Sequence, residues 1–111
     1  MRVSHPIYTK IIQVMDDNLT PCGYLFVFIH NEDSNKVGGL LGLIRHPDYK
    51  GQGVVEQLYK DAIKVCRKNE CDIIRTTVLK KRTGVIKLLR KLGFKEVNVE
   101  SKNHRRFEIR K

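Results

Sequence analysis

The sequence predicts an α/β fold in which helices pack on a mixed, mostly antiparallel sheet. Three observations carry this reading. The first third alternates β-branched and apolar runs with polar turn clusters. The middle carries two one-faced apolar stripes of helical period, separated by a further strand-like run. The chain closes on two short extended runs around a polar turn. With 111 residues there is room for one domain, spanning 1–111, and folding buries roughly two-thirds of the surface of such a chain.

The elements follow in order. Tyr8–Met15 is β-branched and apolar and ends at the turn-forming Asp16-Asp17-Asn18. After Pro21 and Gly23, Tyr24–His30 has high strand propensity. Asn31 to Asn35 is a polar cluster that suits a hairpin. Val37–Ile44 is a third strand, whose apolar run predicts burial on both faces and whose glycines predict a bulge or close backbone approach. From Val54 to Arg67 the period changes: Val54, Val55, Leu58, Ala62, Val65 and Cys66 form one helical face. Ile73–Leu79 returns to strand. Thr83 is the expected N-cap of a short helix with Val85, Ile86, Leu88, Leu89 and Leu92 inside, stopped by Gly93. Phe94–Val99 and Arg106–Ile109 make a closing hairpin with Ser101 to His104 in its turn. The order is β-β-β-α-β-α-β-β.

Composition removes several classes. The longest apolar stretch, Tyr24 to Ile29, is far short of the roughly twenty residues of a membrane span. No apolar core of about 7–15 residues follows Met1-Arg2, as a secretory signal would require. Cys22, Cys66 and Cys71 are odd in number and lack paired spacing, and His5, His30, His46 and His104 are scattered. The thiols therefore read as reduced, the setting as cytoplasmic, and no metal site is expected. The net charge of +10 is lopsided, with −1 over residues 1–49 and +11 over residues 50–111. Such a chain attracts polyanions on one side.

Lys50-Gly51-Gln52-Gly53 lies between the end of a strand and the start of an amphipathic helix. Glycines there permit a tight turn, and the free amides of a helix start suit an anion. The pattern is neither the dinucleotide G-x-G-x-x-G nor the phosphate-binding G-x-x-x-x-G-K-[ST] motif.

The segment LGLIRHPDYKGQGVVEQLYKDAI resembles the acyl-CoA-binding core of the GNAT superfamily of N-acyltransferases. That core has a strand, a His-Pro-Asp-Tyr-like turn, an [Arg/Gln]-x-x-Gly-x-[Gly/Ala] loop and a helix. Lys50 stands in the Arg/Gln place, Gly53 matches, and Val55 replaces the last small residue. Gly93-Phe94 resembles the Gly-Phe after the family's final helix, and the likeness covers about 100 of the 111 residues.

The resemblance implies a splayed pair of parallel strands holding acetyl-CoA as acyl donor. Pantetheine amides would meet backbone at Leu43, Ile44 and Arg45, with the pyrophosphate over Lys50, Gly51, Gln52, Gly53, Val54 and Val55. It also implies a small N-acetyltransferase acting on an amine. The family's usual tyrosine acid is replaced by Leu89 and the frequent asparagine by Arg82, and the strand before the loop lacks a glutamate base. His46 and Tyr49 are the candidate proton-transfer groups near the loop, with His30 and Glu32 at the hairpin, and Cys71 has no evident histidine partner. Two family helices that wall the acceptor site have no counterpart, so a homodimer could supply that wall.

A second constellation stands apart. Between Asp72 and Glu96 there are eight basic residues and no acid. Lys80, Lys81, Arg82, Lys87, Arg90 and Lys91, with Arg105 and Arg106 later, form a face for nucleic acid or an acidic protein. The alternative reading is therefore a non-catalytic module that binds such a partner in a salt-dependent way. Interleaved aromatics for base stacking are missing.

Overall fold

A computed structural model of the chain describes residues 7–111. Arg2 and His5, which entered the charge and histidine readings, lie outside the described residues. The strands are β1 (Tyr8–Met15), β2 (Pro21–Glu32), β3 (Asn35–Arg45), β4 (Ile73–Leu79), β5 (Lys95–Val97) and β6 (His104–Arg110). The helices are α1 (Val54–Lys68) and α2 (Thr83–Lys91), and a single 3-10 turn covers Pro47–Tyr49. The element order is the predicted one. No helix among the described residues is long and apolar enough to cross a membrane.

The sheet runs β1-β2-β3-β4-β6-β5, and only β3 and β4 pair in parallel. The turn before β2 forms because the Asp16 carboxylate accepts from the amides of Asn18 and Thr20, both at 2.9 Å. Asp33-Ser34 is a two-residue hairpin between β2 and β3. β3 connects to its parallel neighbour through α1, the crossover such pairs require.

Leu25, Val27, Ile29, Leu40, Ile74, Val78 and Phe107 bury one sheet face beneath Leu58, Tyr59, Ala62 and Cys66 of α1 and Ile86 and Leu89 of α2. Lys91 of α2 meets Glu56 of α1 at 3.1 Å, so the helices lie side by side on that face. Burial there pushes the Cys66 thiol up to about 12. On the opposite face Phe26 stacks on Phe28 with ring centroids 6.3 Å apart. Arg75 there joins Glu108, at 2.6 Å, to Glu32, at 2.8 Å, with His30 and Arg110 at the margins.

Four local expectations are corrected. β3 is buried on both faces only at its start: Leu41 and Ile44 are 51% and 58% exposed, because β3 leaves β4 after Leu40 and its opposite face carries no helix among the described residues. Arg82, not Thr83, is the N-cap of α2, and it makes no side-chain capping bond. His104 belongs to β6 rather than to the turn before it, since it pairs with Leu79 of β4. β5 is also shorter than the predicted run.

Candidate functional site

Val37 to Leu40 are in register with Ile73 to Thr76, and beyond that point the two strands part. The cause lies in β3. Between the pairs Phe26–Leu41 and Tyr24–Ile44, one residue of β2 faces two of β3, Gly42 and Leu43. Gly42 has φ +71°, and a Cβ on it would sit 2.6 Å from Phe26 Cδ2. This glycine bulge bends the strand away from β4.

The gap so opened holds about 150 Å3 and is lined by Leu41, Gly42 and Leu43 on one side and Thr76 to Leu79 on the other. Tyr59, Arg82 and His104 complete it. On one flank it shares Leu43 and Arg82 with a cleft of about 350 Å3, which also takes in Arg45, Val55, Lys81 and the start of α2. On the other flank it shares Leu79 and His104 with a cleft of about 470 Å3 lined by Lys80, Lys81, Lys102 and Asn103. No carboxylate lines any of the three.

The loop before α1 is solvent-exposed. Gly53 is the N-cap of α1 at φ +75°, with open space around a hypothetical Cβ, so its backbone angle rather than crowding calls for glycine. Of the nine residues expected at a cofactor, Leu43, Arg45 and Val55 line the 350 Å3 cleft. Val54 is buried in the core, Ile44 is exposed, and Lys50 to Gly53 form the rim loop.

The proton-transfer candidates fall elsewhere. Tyr49 donates to Asp16 at 2.6 Å, and that bond raises its phenol to about 12. His46 caps the 3-10 turn through Nδ1, packs edge-on against Tyr49 and lines none of the three cavities. Glu32 accepts from Arg75, which holds its carboxyl below the ordinary range, and His30 sits 3.4 Å from it. Cys22, Cys66 and Cys71 are buried and line none of the three cavities. Leu89, in the place of the usual tyrosine, is fully buried in the core.

The basic face divides in two. Arg90 and Arg105 meet Glu96 at 3.1 and 3.7 Å, Lys91 meets Glu56, and Arg90 also lies over the Phe107 ring. Lys80, Lys81, Arg82 and Lys87 meet no carboxylate among the described residues, and three of these four line the cavities. Arg106 is half-buried, with its Nε unpaired. Sequence reasoning assigned Lys81 and Arg82 to an outer partner surface and missed their place in the clefts. It also passed over His104, because nothing in a lone histidine after a turn announces pairing with Leu79.

The acetyltransferase (GNAT) family model matches residues 5–94. The chain belongs to that family. Its fold is shared by GNAT and acyltransferase structures of low sequence identity. A protein of Klebsiella pneumoniae, provisionally named an acyl-CoA N-acyltransferase, superposes with TM-score 0.81 at 13% identity, over 92% of this chain and 72% of that one. The PaiA N-acetyltransferase of Thermoplasma acidophilum, solved with coenzyme A, gives 0.78 at 18% identity, over 93% and 61%. A Salmonella typhimurium protein solved with acetyl-CoA gives 0.71 at 17%, over 84% and 60%. This GNAT chain thus spans 60–72% of the length of these three structures. No curated protein sequence matches it.

Proposed function

We propose that this chain is an N-acetyltransferase that takes its acyl group from acetyl-CoA and delivers it to an amine. The observation that carries the reading is the parting of β3 from β4 beside a cationic cleft free of carboxylates. A strand edge released from its neighbour offers unpaired amides and carbonyls to an extended amide-bearing ligand. Arg45, Lys81 and Arg82 give the adjoining cleft the charge a polyphosphate needs. The free amides at the start of α1 add to it, with the helix dipole worth about 0.3–1 kcal/mol. Leu43, Ile44 and Arg45 would hold the pantetheine arm, and Lys50 to Val55 the pyrophosphate.

When bound, acetyl-CoA supplies an activated thioester carbonyl. The chain supplies proximity within a gap of about 150 Å3, small enough to hold an acyl group and an incoming nitrogen together. The buried, reduced thiols suit the cytoplasm.

Calorimetric titration of acetyl-CoA tests this reading. Wild type is expected to bind saturably, and Gly53→Asp to bind at least tenfold more weakly with an unchanged circular dichroism spectrum. Absence of binding at millimolar ligand overturns it. A non-catalytic nucleic-acid or acidic-protein module would instead retain DNA or RNA on Lys87 and its neighbours, and Lys87→Glu would release it.

A further inference from the structure

The cleft beyond the gap gathers three lysines that meet no carboxylate among the described residues. Part of the basic surface is neutralised by ion pairs: Lys60 and Lys91 share Glu56, Arg90 and Arg105 share Glu96, and Arg110 meets Glu108. Lys80, Lys81 and Lys102 meet no carboxylate among the described residues, yet they are gathered in one cleft of about 470 Å3. Glu96, which lines the adjoining depression, is already shared by two arginines. The cleft is also built. Its two walls, the end of β4 and the loop before β6, are tied by the Lys80 amide donating to the Asn103 carbonyl at 2.8 Å.

His104 stands where this cleft meets the gap and lines both. Ser101 positions it: the Ser101 hydroxyl accepts from the His104 amide at 3.1 Å and lies 3.4 Å from Nδ1. In the tautomer whose Nδ1–H donates to Ser101, Nε2 carries the free lone pair.

We infer that this cleft is the acceptor subsite, taking a small amine that carries a phosphate or carboxylate at its far end. The inference rests on the acetyltransferase reading for the identity of the gap. Ammonium groups on Lys80, Lys81 and Lys102 attract the acid end, and the same positive field favours the neutral form of the amine. That form is the nucleophile, so the cleft does part of the work of the glutamate base that β3 lacks. The transfer forms the amide C–N bond and breaks the thioester C–S bond. The proton of the nitrogen passes to His104 Nε2 and on to water, and the leaving thiolate takes one from water.

The test uses the full chain and three probes: O-phosphoethanolamine, β-alanine and ethanolamine. Shifts of the Lys102, Asn103 and His104 amide resonances report binding without turnover. The two acid-bearing amines are expected to bind at least tenfold more tightly than ethanolamine, and whichever of them is tighter identifies phosphate or carboxylate as the natural group. Lys80→Gln with Lys102→Gln is expected to erase that preference while leaving acetyl-CoA affinity unchanged, since neither lysine lines the donor cleft. His104→Gln is expected to bind the acid amines as wild type does and to lose about 10²–10⁴-fold in turnover at unchanged KM. Equal binding of ethanolamine, or wild-type binding by the double variant, overturns the subsite. Lysine-dependent binding of acid amines in a chain that takes up no acetyl-CoA would instead sustain the subsite and overturn the transfer reading alone.

Discussion

The hydroxyl of Thr76 donates to the carbonyl oxygen of Leu40 across 3.0 Å, at the last pair that β3 and β4 keep in register. Thr76 is 3% exposed, so this bond closes the root of the gap from inside the core. Thr76→Val keeps the shape and removes the donor. The expected loss is about 1–3 kcal/mol of stability, read as a lower urea midpoint with an unchanged slope.

The bulge at Gly42 makes a sharper prediction. A side chain there meets Phe26 and adopts a left-handed backbone, which alone costs a non-glycine residue about 1–2 kcal/mol. Gly42→Ala should lower the melting temperature. Gly39→Ala, three residues earlier, places its Cβ at an ordinary 3.6 Å from the Phe28 carbonyl and should be neutral or slightly stabilising. Equal effects would show that the bend does not depend on the bulge.

Tyr49 and Asp16 tie the rim loop to the first hairpin, and the pair has a pH window. Asp16 is held below its ordinary 3.8 by the Tyr49 hydrogen bond, so its contribution is present above that value and lost as pH falls through the lowered one. Tyr49 is raised from 10.0 to about 12, so its contribution is present below pH 10 and lost on the way to 12. Spectrophotometric titration should show Tyr49 ionising near 12, and Tyr49→Phe should delete that step while leaving the upward-shifted, buried Tyr59 in place.

Arg75 holds two carboxylates at once, and Glu108 beneath it is almost wholly buried. Arg75→Met leaves Glu108 with Arg110 alone. Breaking a buried pair costs about 3–5 kcal/mol, and the surviving partner places this variant toward the lower end. Glu32 and Glu108 both sit below their ordinary 4.5, so the wild-type advantage should be full above that pH and fade as acid protonates them. Denaturant melts of both proteins at pH 7 and pH 3 would check the convergence.

Much of the fold was legible in the sequence because its signals are local. The ends of β1 and β4 fall where β-branched runs meet turn residues, and α1 follows its apolar stripe to within one residue. The donor-side residues became legible only through likeness to a family. What escaped depends on pairing at a distance. The bulge is visible only once Gly42 and Leu43 are set against β2, and the exposure of Leu41 and Ile44 only once β3 is seen to leave β4. The charge run looked uniform in sequence. Folding spends Arg90, Lys91 and Arg105 on two glutamates and turns Lys81 and Arg82 toward the clefts.

The three thiols lie buried and line neither the gap nor the clefts that flank it, so no cysteine stands ready there to carry an acyl group. In the transfer proposed above, where His104 takes a proton rather than the acyl group, the acyl group passes directly from thioester to amine. Donor and acceptor must therefore be aboard together, and initial-rate plots at several amine concentrations should intersect rather than run parallel.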